Sequence, residues 1–235
     1  MSKTVHPYAH RLGILRDWRS RWFAKKGVYQ ANLKADVLLR EFLEKKLRDM
    51  YVDSIEMERG QNSLRVIIHT SRPGMIIGRS GEGSLKLKND IMALFNKIGA
   101  TVPRELNIDI QEVRSPESHA GIVAHMVVEQ LEKRLPFRRT LKQTAEKIMA
   151  NRDVQGVRIY LSGRLDGAEM SRREGIRRGR IPLQTFRADV DFAKGRAHLP
   201  YGDLGVKVWI YRGMIFGNPH ENRKSTRTPE TPKAK

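Results

Sequence analysis

Two patterns of apolar residues divide the first half of the chain into predicted helices and strands. Apolar side chains recur at helical spacing over residues 31–50 and over residues 87–98, so each stretch is predicted to form an amphipathic helix. Between these stretches, residues 55–58 and 64–69 alternate between apolar and polar side chains. A Gly60-Gln61-Asn62 turn connects the alternating stretches, which together are predicted to form a β-hairpin.

A glycine-containing turn joins the hairpin to the second long helix. Pro73 suits the start of a short helix, which runs into a Gly-x-x-Gly motif at residues 78–81. Beyond the second long helix, residues 106–111 alternate as a third strand. The predicted order is helix, strand, strand, short helix, Gly-x-x-Gly, helix, strand. This is the element order of a type II KH domain, an RNA-binding module, and we assign it to residues 35–114.

The second half of the chain predicts two helices followed by a sheet. Ser115-Pro116 marks the boundary, and Pro136 separates two apolar stripes of helical spacing. A glycine- and arginine-rich segment at residues 163–180 shows neither period. Helices and neighbouring strands in this order predict a second α+β module with a mostly antiparallel sheet, at residues 115–217. Its predicted strands lie at residues 157–161, 186–192 and 206–210.

Charge is distributed unevenly along the 235 residues, whose net charge is +19. The net charge is +7 over residues 1–34, +1 over 35–114, +8 over 115–217 and +3 over 218–235. A nearly neutral KH module is therefore predicted between a basic N-terminal arm and a basic second module. The last segment has almost no apolar side chain and is predicted to be a disordered tail. The arm, like the tail, is expected to become ordered only on RNA or protein partners.

Composition narrows the classes of function. Hydrophobic residues make up 39% of the chain, enough for a core. So basic a protein binds polyanions, with nucleic acid as the first candidate and an anionic membrane surface as the second. Cysteine is absent, which excludes disulfides, thiol catalysis and zinc fingers. No apolar stretch is as long as a spanning helix, and the start lacks a secretory signal. We predict a soluble cytoplasmic protein without a membrane partner.

The Gly-x-x-Gly motif is the most informative short pattern. Glycines at both ends allow a tight turn and a close approach to a phosphate, and the N–H groups of the following helix favour an anion there. No Gly-Lys-Ser/Thr follows, so the motif is not a nucleotide-binding P-loop. An ordinary turn between helices is the alternative. The predicted RNA-binding loop consists of Gly78, Arg79, Ser80 and Gly81.

Two further clusters of cations are candidates for phosphate contact. Arg138, Arg139 and Lys142 lie on one side of a predicted helix, opposite its apolar stripe. A solvated charged face is the alternative. Five arginines within residues 172–180 are accompanied by a single acid, Glu174, and arginine is well shaped for phosphate. The predicted rRNA contacts are Arg164, Arg172, Arg173, Arg177, Arg178, Arg180, Arg11, Arg19, Arg21, Lys25 and Lys26.

Aromatic residues of the arm lie among its cations. Trp18, Trp22 and Phe23 can stack on bases, or they can dock on the body of the protein and hold the arm in place. The sequence leaves both alternatives open.

Enzymatic interpretations find little support. Asp189 and Asp191 share a predicted strand face and could bind the metal of a nuclease, but pairing with Arg187 and Lys194 explains them more simply. His119 and His125, six residues apart, do not share a helical face. We predict no catalytic site, no metal and no cofactor.

The chain resembles the family of bacterial-type small-subunit ribosomal protein number three. The resemblance covers about residues 3–217 and is most specific in the second module. The Gly-x-x-Gly loop departs from the family, which usually carries two lysines there, whereas this chain has Arg79 and Ser80. The motifs that carry the resemblance include Val5-His6-Pro7, Trp22-Phe23-Ala24, Ser71-Arg72-Pro73-Gly74, Ser162-Gly163-Arg164-Leu165, Gly179-Arg180-Ile181-Pro182-Leu183 and Arg187-Ala188-Asp189-Val190-Asp191.

The resemblance implies a structural constituent of the head of the small ribosomal subunit. It implies binding to 16S rRNA, contacts with ribosomal proteins ten and fourteen, and a place beside proteins four and five where mRNA enters. The family's mRNA-gripping cations correspond to Arg138, Arg139 and Lys142. They imply help in the passive opening of mRNA structure. A free KH-type regulatory or processing protein and a nuclease remain the alternatives.

Overall fold

The computed structural model describes residues 5–99 and 103–216 and contains two α+β modules. The strands of the first are β1 (Ser20–Arg21), β2 (Val52–Arg59), β3 (Ser63–Thr70) and β4 (Glu105–Glu112). Strands β2 and β3 form the predicted antiparallel hairpin. The short β1 runs parallel to β2, and β4 runs parallel to β3, giving the order β1–β2–β3–β4. Apolar faces of three helices pack on one side of this sheet. The helices are α2 (Lys26–Lys46), α3 (Pro73–Ile77) and α4 (Glu82–Ile98), preceded by α1 (Pro7–His10).

The first long helix begins earlier than predicted. α2 starts at Lys26 rather than at residue 31, so the predicted end of the arm at residue 34 falls inside a helix. The side chains of residues 26–30 are all exposed. Because none of them is buried, the apolar period gives no signal over this first turn and a half.

The second module is a four-stranded sheet with two helices on one face. Its strand order is β6–β5–β8–β7 and every pairing is antiparallel, which confirms the predicted α+β fold. Helices α5 and α6 bury apolar side chains against the inward-facing residues of the strands. The elements are α5 (Ala120–Glu132), α6 (Phe137–Ala150), β5 (Gly156–Gly163), β6 (Arg172–Gly179), β7 (Ala188–Leu199) and β8 (Gly202–Met214).

Strand β6 was not expected from the sequence. It covers the arginine run and pairs only with β5, so it forms an edge of the sheet. Its single large apolar residue, Ile176, packs against the core. One apolar residue cannot establish a period of two, whereas arginines suit an exposed edge that must not pair with another chain.

The arm packs on the body of the protein through Arg11. This side chain is fully buried and donates hydrogen bonds to the carbonyl oxygens of Ala188 (2.5 Å), Pro7 (3.0 Å) and Thr185 (3.0 Å). The prediction that the arm is ordered only on partners is therefore wrong for residues 5–24. The prediction that Arg11 contacts rRNA is wrong as well, because its donors face protein carbonyls.

The predicted disordered tail, residues 218–235, lies outside the described residues. Among the residues that the structure describes, no helix has the length and apolar character needed to cross a bilayer.

Replacing Arg11 should destabilise the protein. Arg11→Met leaves buried carbonyl groups without donors, which is expected to lower the free energy of unfolding by about 3 kcal/mol. Urea denaturation measures this difference. The control is Arg19→Met, whose side chain is exposed and should contribute less than about 1 kcal/mol. A stable Arg11→Met variant with weakened RNA binding would contradict the structural role.

Candidate nucleic-acid interface

The Gly-x-x-Gly loop protrudes between α3 and α4. Its backbone is left-handed at Gly78 (φ +70°), Ser80 (φ +50°) and Gly81 (φ +82°). The side chains of Arg79 and Ser80 are exposed. Ser84 donates a hydrogen bond to the Gly81 carbonyl (2.7 Å), which fixes the start of α4. The loop is therefore a tight, exposed turn directly before a helix N-terminus, the geometry that favours a phosphate.

A third glycine holds this loop, and sequence reasoning missed it. A Cβ atom added to Gly83 would lie 2.5 Å from the Ile76 carbonyl oxygen and 2.9 Å from that of Ile77. The first turn of α4 therefore packs on the backbone of α3, and only glycine fits there. Position 83 lies two residues beyond the motif, inside a helix, where glycine is otherwise unfavourable.

Helix α6 presents its cations on a rigid face, as predicted. Phe137 and Leu141 are each 2% exposed and face the core, whereas Arg138, Arg139 and Lys142 are exposed. Arg138 approaches Glu174 at 3.7 Å. Within residues 5–99 and 103–216, neither of the other two cations has an ion pair. The helix thus holds at least two unneutralised cations in fixed positions.

The fold brings the arginine run beside these helix cations. The guanidinium groups of Arg138 and Arg172 lie 5.6 and 5.7 Å from the Phe137 ring centre, on neighbouring elements. Arg173 lines a shallow cleft together with Arg138 and Lys142. Glu174 neutralises only part of this charge. We call this the α6–β6 surface, consisting of Arg138, Arg139, Lys142, Arg172 and Arg173.

Other predicted RNA contacts are engaged within the protein. Arg21 forms ion pairs with Glu56 (2.5 Å) and Glu58 (2.9 Å), and Arg164 donates to the carbonyl oxygens of Ala168 and Tyr201. Both side chains therefore stabilise the parts of the protein that surround them. Arg178 pairs with Glu146 at 3.2 Å on the exposed surface. The remaining predicted contacts, Arg19, Lys25, Lys26, Arg177 and Arg180, are exposed.

The aromatic residues of the arm divide between the two alternatives. The Trp22 indole N–H donates to the Asp36 carboxylate at 2.7 Å, so this ring is docked on α2. Trp18 and Phe23 remain 61% and 96% exposed. Docking therefore explains one ring, and stacking on a partner remains a prediction for the other two.

The two aspartates of the nuclease alternative are held by arginines. Asp189 pairs with Arg16 (2.6 Å) and Arg212 (3.1 Å), rather than with the predicted Arg187 and Lys194. Asp191 accepts a hydrogen bond from the Ala120 N–H (2.9 Å). Burial raises the pKa of Asp191, but Arg16, Arg212 and that N–H together hold it below its ordinary value.

A histidine also lies in this cluster, and the sequence did not predict that these residues come together. His119 lies 3.0 Å from Asp53 of the first module, and ligand atoms of these two residues and of Asp191 lie within 4.8 Å of one another. The arginine partners of Asp191 already balance its charge. The cluster is therefore explained as a polar contact that links the two modules.

Comparison with known proteins gives the family. A model described as "Ribosomal protein S3, C-terminal domain" matches residues 127–210, and one described as "KH domain" matches residues 38–118. Small ribosomal subunit protein uS3 of Chromohalobacter salexigens is 42% identical over the whole chain and 98% of its own length. The uS3 proteins of Lactobacillus acidophilus and Shewanella loihica are 41% and 43% identical, each over 92% of this chain and 92% and 91% of their own lengths.

The chain belongs to the uS3 family of small ribosomal subunit proteins. This confirms the resemblance and the KH prediction. The uS3 family consists of structural ribosomal proteins rather than enzymes, which agrees with the prediction that the chain has no catalytic role. A protein of the small ribosomal subunit works in the cytoplasm, as the sequence analysis predicted.

Two substitutions at Gly81 separate the effect of charge in the loop from the effect of its backbone conformation. Asparagine and aspartate both tolerate the left-handed conformation and both cap helices, so Gly81→Asn and Gly81→Asp should fold alike. Only the aspartate places an anion where a phosphate is expected. We predict roughly fivefold weaker binding of single-stranded RNA by Gly81→Asp than by Gly81→Asn, measured at fixed low salt. Equal affinities would show that the loop is only a turn.

Proposed function

We propose that this member of the uS3 family binds 16S rRNA and contacts mRNA where the message enters the small subunit. The α6–β6 surface carries the mRNA contact, and the observation that carries the proposal is its geometry. Three cations project from one face of a helix whose opposite face is locked into the core. Phosphates passing along this face therefore meet charges carried by a backbone that does not have to be ordered first.

Opening of mRNA structure is passive in this proposal. Cations held at fixed positions attract a single strand as it moves past, and the translocating ribosome supplies the work. The Gly-x-x-Gly loop has no P-loop lysine that would bind a nucleotide. The surface therefore biases paired and unpaired messages differently without turning over any substrate.

Membership of the uS3 family supports the proposed partners. In this proposal the chain contacts ribosomal proteins ten and fourteen in the head of the subunit and lies beside proteins four and five at the channel. The basic arm residues Arg19, Lys25 and Lys26 and the exposed Arg177 and Arg180 supply rRNA contacts. Co-sedimentation with small subunits at moderate salt separates this proposal from a free KH regulatory protein.

Removing the helix cations should slow structured messages selectively. Replacing Arg138, Arg139 and Lys142 by alanine leaves the core face of α6 intact and favours the helix, so folding and assembly should persist. We expect the elongation rate on a message with a stable hairpin, relative to an unstructured one, to fall roughly threefold, since each exposed charge contributes a few tenths of a kcal/mol.

The control removes two exposed cations at the other end of the same region, Lys147→Ala with Arg152→Ala. It should leave the ratio of elongation rates unchanged. Assembled subunits that carry the triple variant and retain the normal ratio would refute the mRNA contact, while normal co-sedimentation would leave the ribosomal role standing.

A further inference from the structure

The second sheet has a face turned away from its helices, and only one end of this face is covered. There Ala188, Val190 and Tyr211 form a small apolar cluster against which Ile181, Leu183 and one side of Trp209 pack, and His6 of the arm contacts the edge of the neighbouring Phe192 ring. The remainder carries exposed cations, together with the half-buried Arg158 and half-buried aromatic rings, from all four strands. We call it the outer sheet face, and it consists of Arg158, Tyr160, Arg173, Arg177, Phe192, Lys194, Arg196, Lys207 and Trp209.

Strand register arranges the outer sheet face in rows. Arg177, Arg158, Trp209 and Phe192 lie side by side across the strands in one row, by direct pairing of each residue with the next. The next row places Lys207 and Lys194 beside Tyr160, and the third places Arg173 and Arg196 at its two ends. These three rows hold six cations and no acid. Among the described residues, none of the six has an ion pair.

Two pairs of these cations oppose each other directly. Arg158 is the register partner of Arg177, and Lys194 is the register partner of Lys207. Like charges directly opposite on neighbouring strands destabilise a sheet. A sheet that carries two such pairs side by side is incompletely neutralised by itself, and an anionic ligand that spans both pairs would remove the repulsion.

Aromatic rings hold some of these cations in place. The guanidinium carbon of Arg158 lies 4.5 Å from the Tyr160 ring centre and 5.1 Å from that of Trp209. The ammonium group of Lys194 lies 5.7 Å from the centre of the Phe192 ring. Such contacts restrict long side chains that otherwise lose rotamer freedom on binding. The face therefore offers fixed positive charges between partly exposed rings.

We propose that the outer sheet face is a second RNA-binding surface, separate from the Gly-x-x-Gly loop, which holds the sugar–phosphate backbone of a single strand. The proposal rests on the proposed function only in that the chain binds RNA. Arginine forks match phosphate, and a four-stranded sheet with partly exposed rings offers a platform for single-stranded RNA. An acidic protein is less suited, because the repeated cations offer no apolar pocket for an anchor residue.

The test compares two variants of the full chain that lose the same charge. One is Arg177→Gln with Lys194→Gln and Lys207→Gln on the outer sheet face. The control is Lys45→Gln with Lys97→Gln and Lys147→Gln at exposed positions elsewhere. Binding of a labelled polyuridine strand is measured against salt concentration. We expect the log–log slope of the face variant to flatten by roughly 2, about 0.7 for each lost phosphate contact, and that of the control to change little.

Thermal unfolding provides the second readout. Because the face variant removes one member of the Arg158–Arg177 pair and both members of the Lys194–Lys207 pair, its midpoint should stay the same or rise. Should the triple variant fold poorly, Lys194→Gln and Lys207→Gln alone are each expected to flatten the slope by about 0.7. A lowered midpoint with an unchanged slope would assign these cations a merely structural role and overturn the proposal.

The remaining outcomes separate the proposals. Equal slopes for the face variant and the control overturn the second surface and the proposed rRNA contact of Arg177, but leave the rest of the proposed function intact. Failure of the wild-type chain to bind polyuridine would refute the proposed function itself. Polyglutamate serves as the protein-like polyanion, and loss of its binding without loss of RNA binding would overturn the proposal in favour of an acidic protein partner.

Discussion

The excess of cations over acids, 45 against 26, constrains the whole molecule, because carboxylates are too few to pair with every arginine and lysine. Acidic side chains are concentrated where segments distant in sequence meet. Asp189 holds Arg16 of the arm, Glu56 and Glu58 hold Arg21, and Glu132 holds Arg48 across the module boundary. These pairs, together with the buried Arg11, tie the arm and the two modules into one arrangement.

Among the described residues, some of the cations without such partners lie on the outside of regular elements. Helix α6 carries them opposite its apolar stripe, and strand β6 carries them along an edge. Both positions are rigid because the other side of each element, or its neighbour, belongs to the core. In the proposed function, an RNA strand bound there meets backbone that is already ordered, which favours holding or guiding the strand.

The KH loop differs from α6 and β6 in the feature that suits it to a phosphate. It presents backbone donors at a helix start and a single cation, Arg79, so shape contributes more than charge. Gly83 is as necessary to that shape as the two glycines of the motif, since it lets α4 approach the carbonyls of α3. In the proposed function, the loop contributes through backbone geometry and the α6–β6 surface through concentrated charge.

The sequence by itself determined the elements whose apolar residues repeat clearly, including the amphipathic α6 and the hairpin of β2 and β3. The sequence also determined the basic character of the protein, and the motifs of the sequence carried the resemblance to the family. Tertiary structure alone decided the rest. β6 has one apolar residue, Ile176, and becomes a strand only because β5 offers an edge. In the sequence, Arg11 cannot be distinguished from the other cations of the arm. Only the fold brings carbonyl groups 171–177 residues away into contact with it. The opposed pair of Lys194 and Lys207 exists only through strand register, a non-local property that no short sequence pattern encodes.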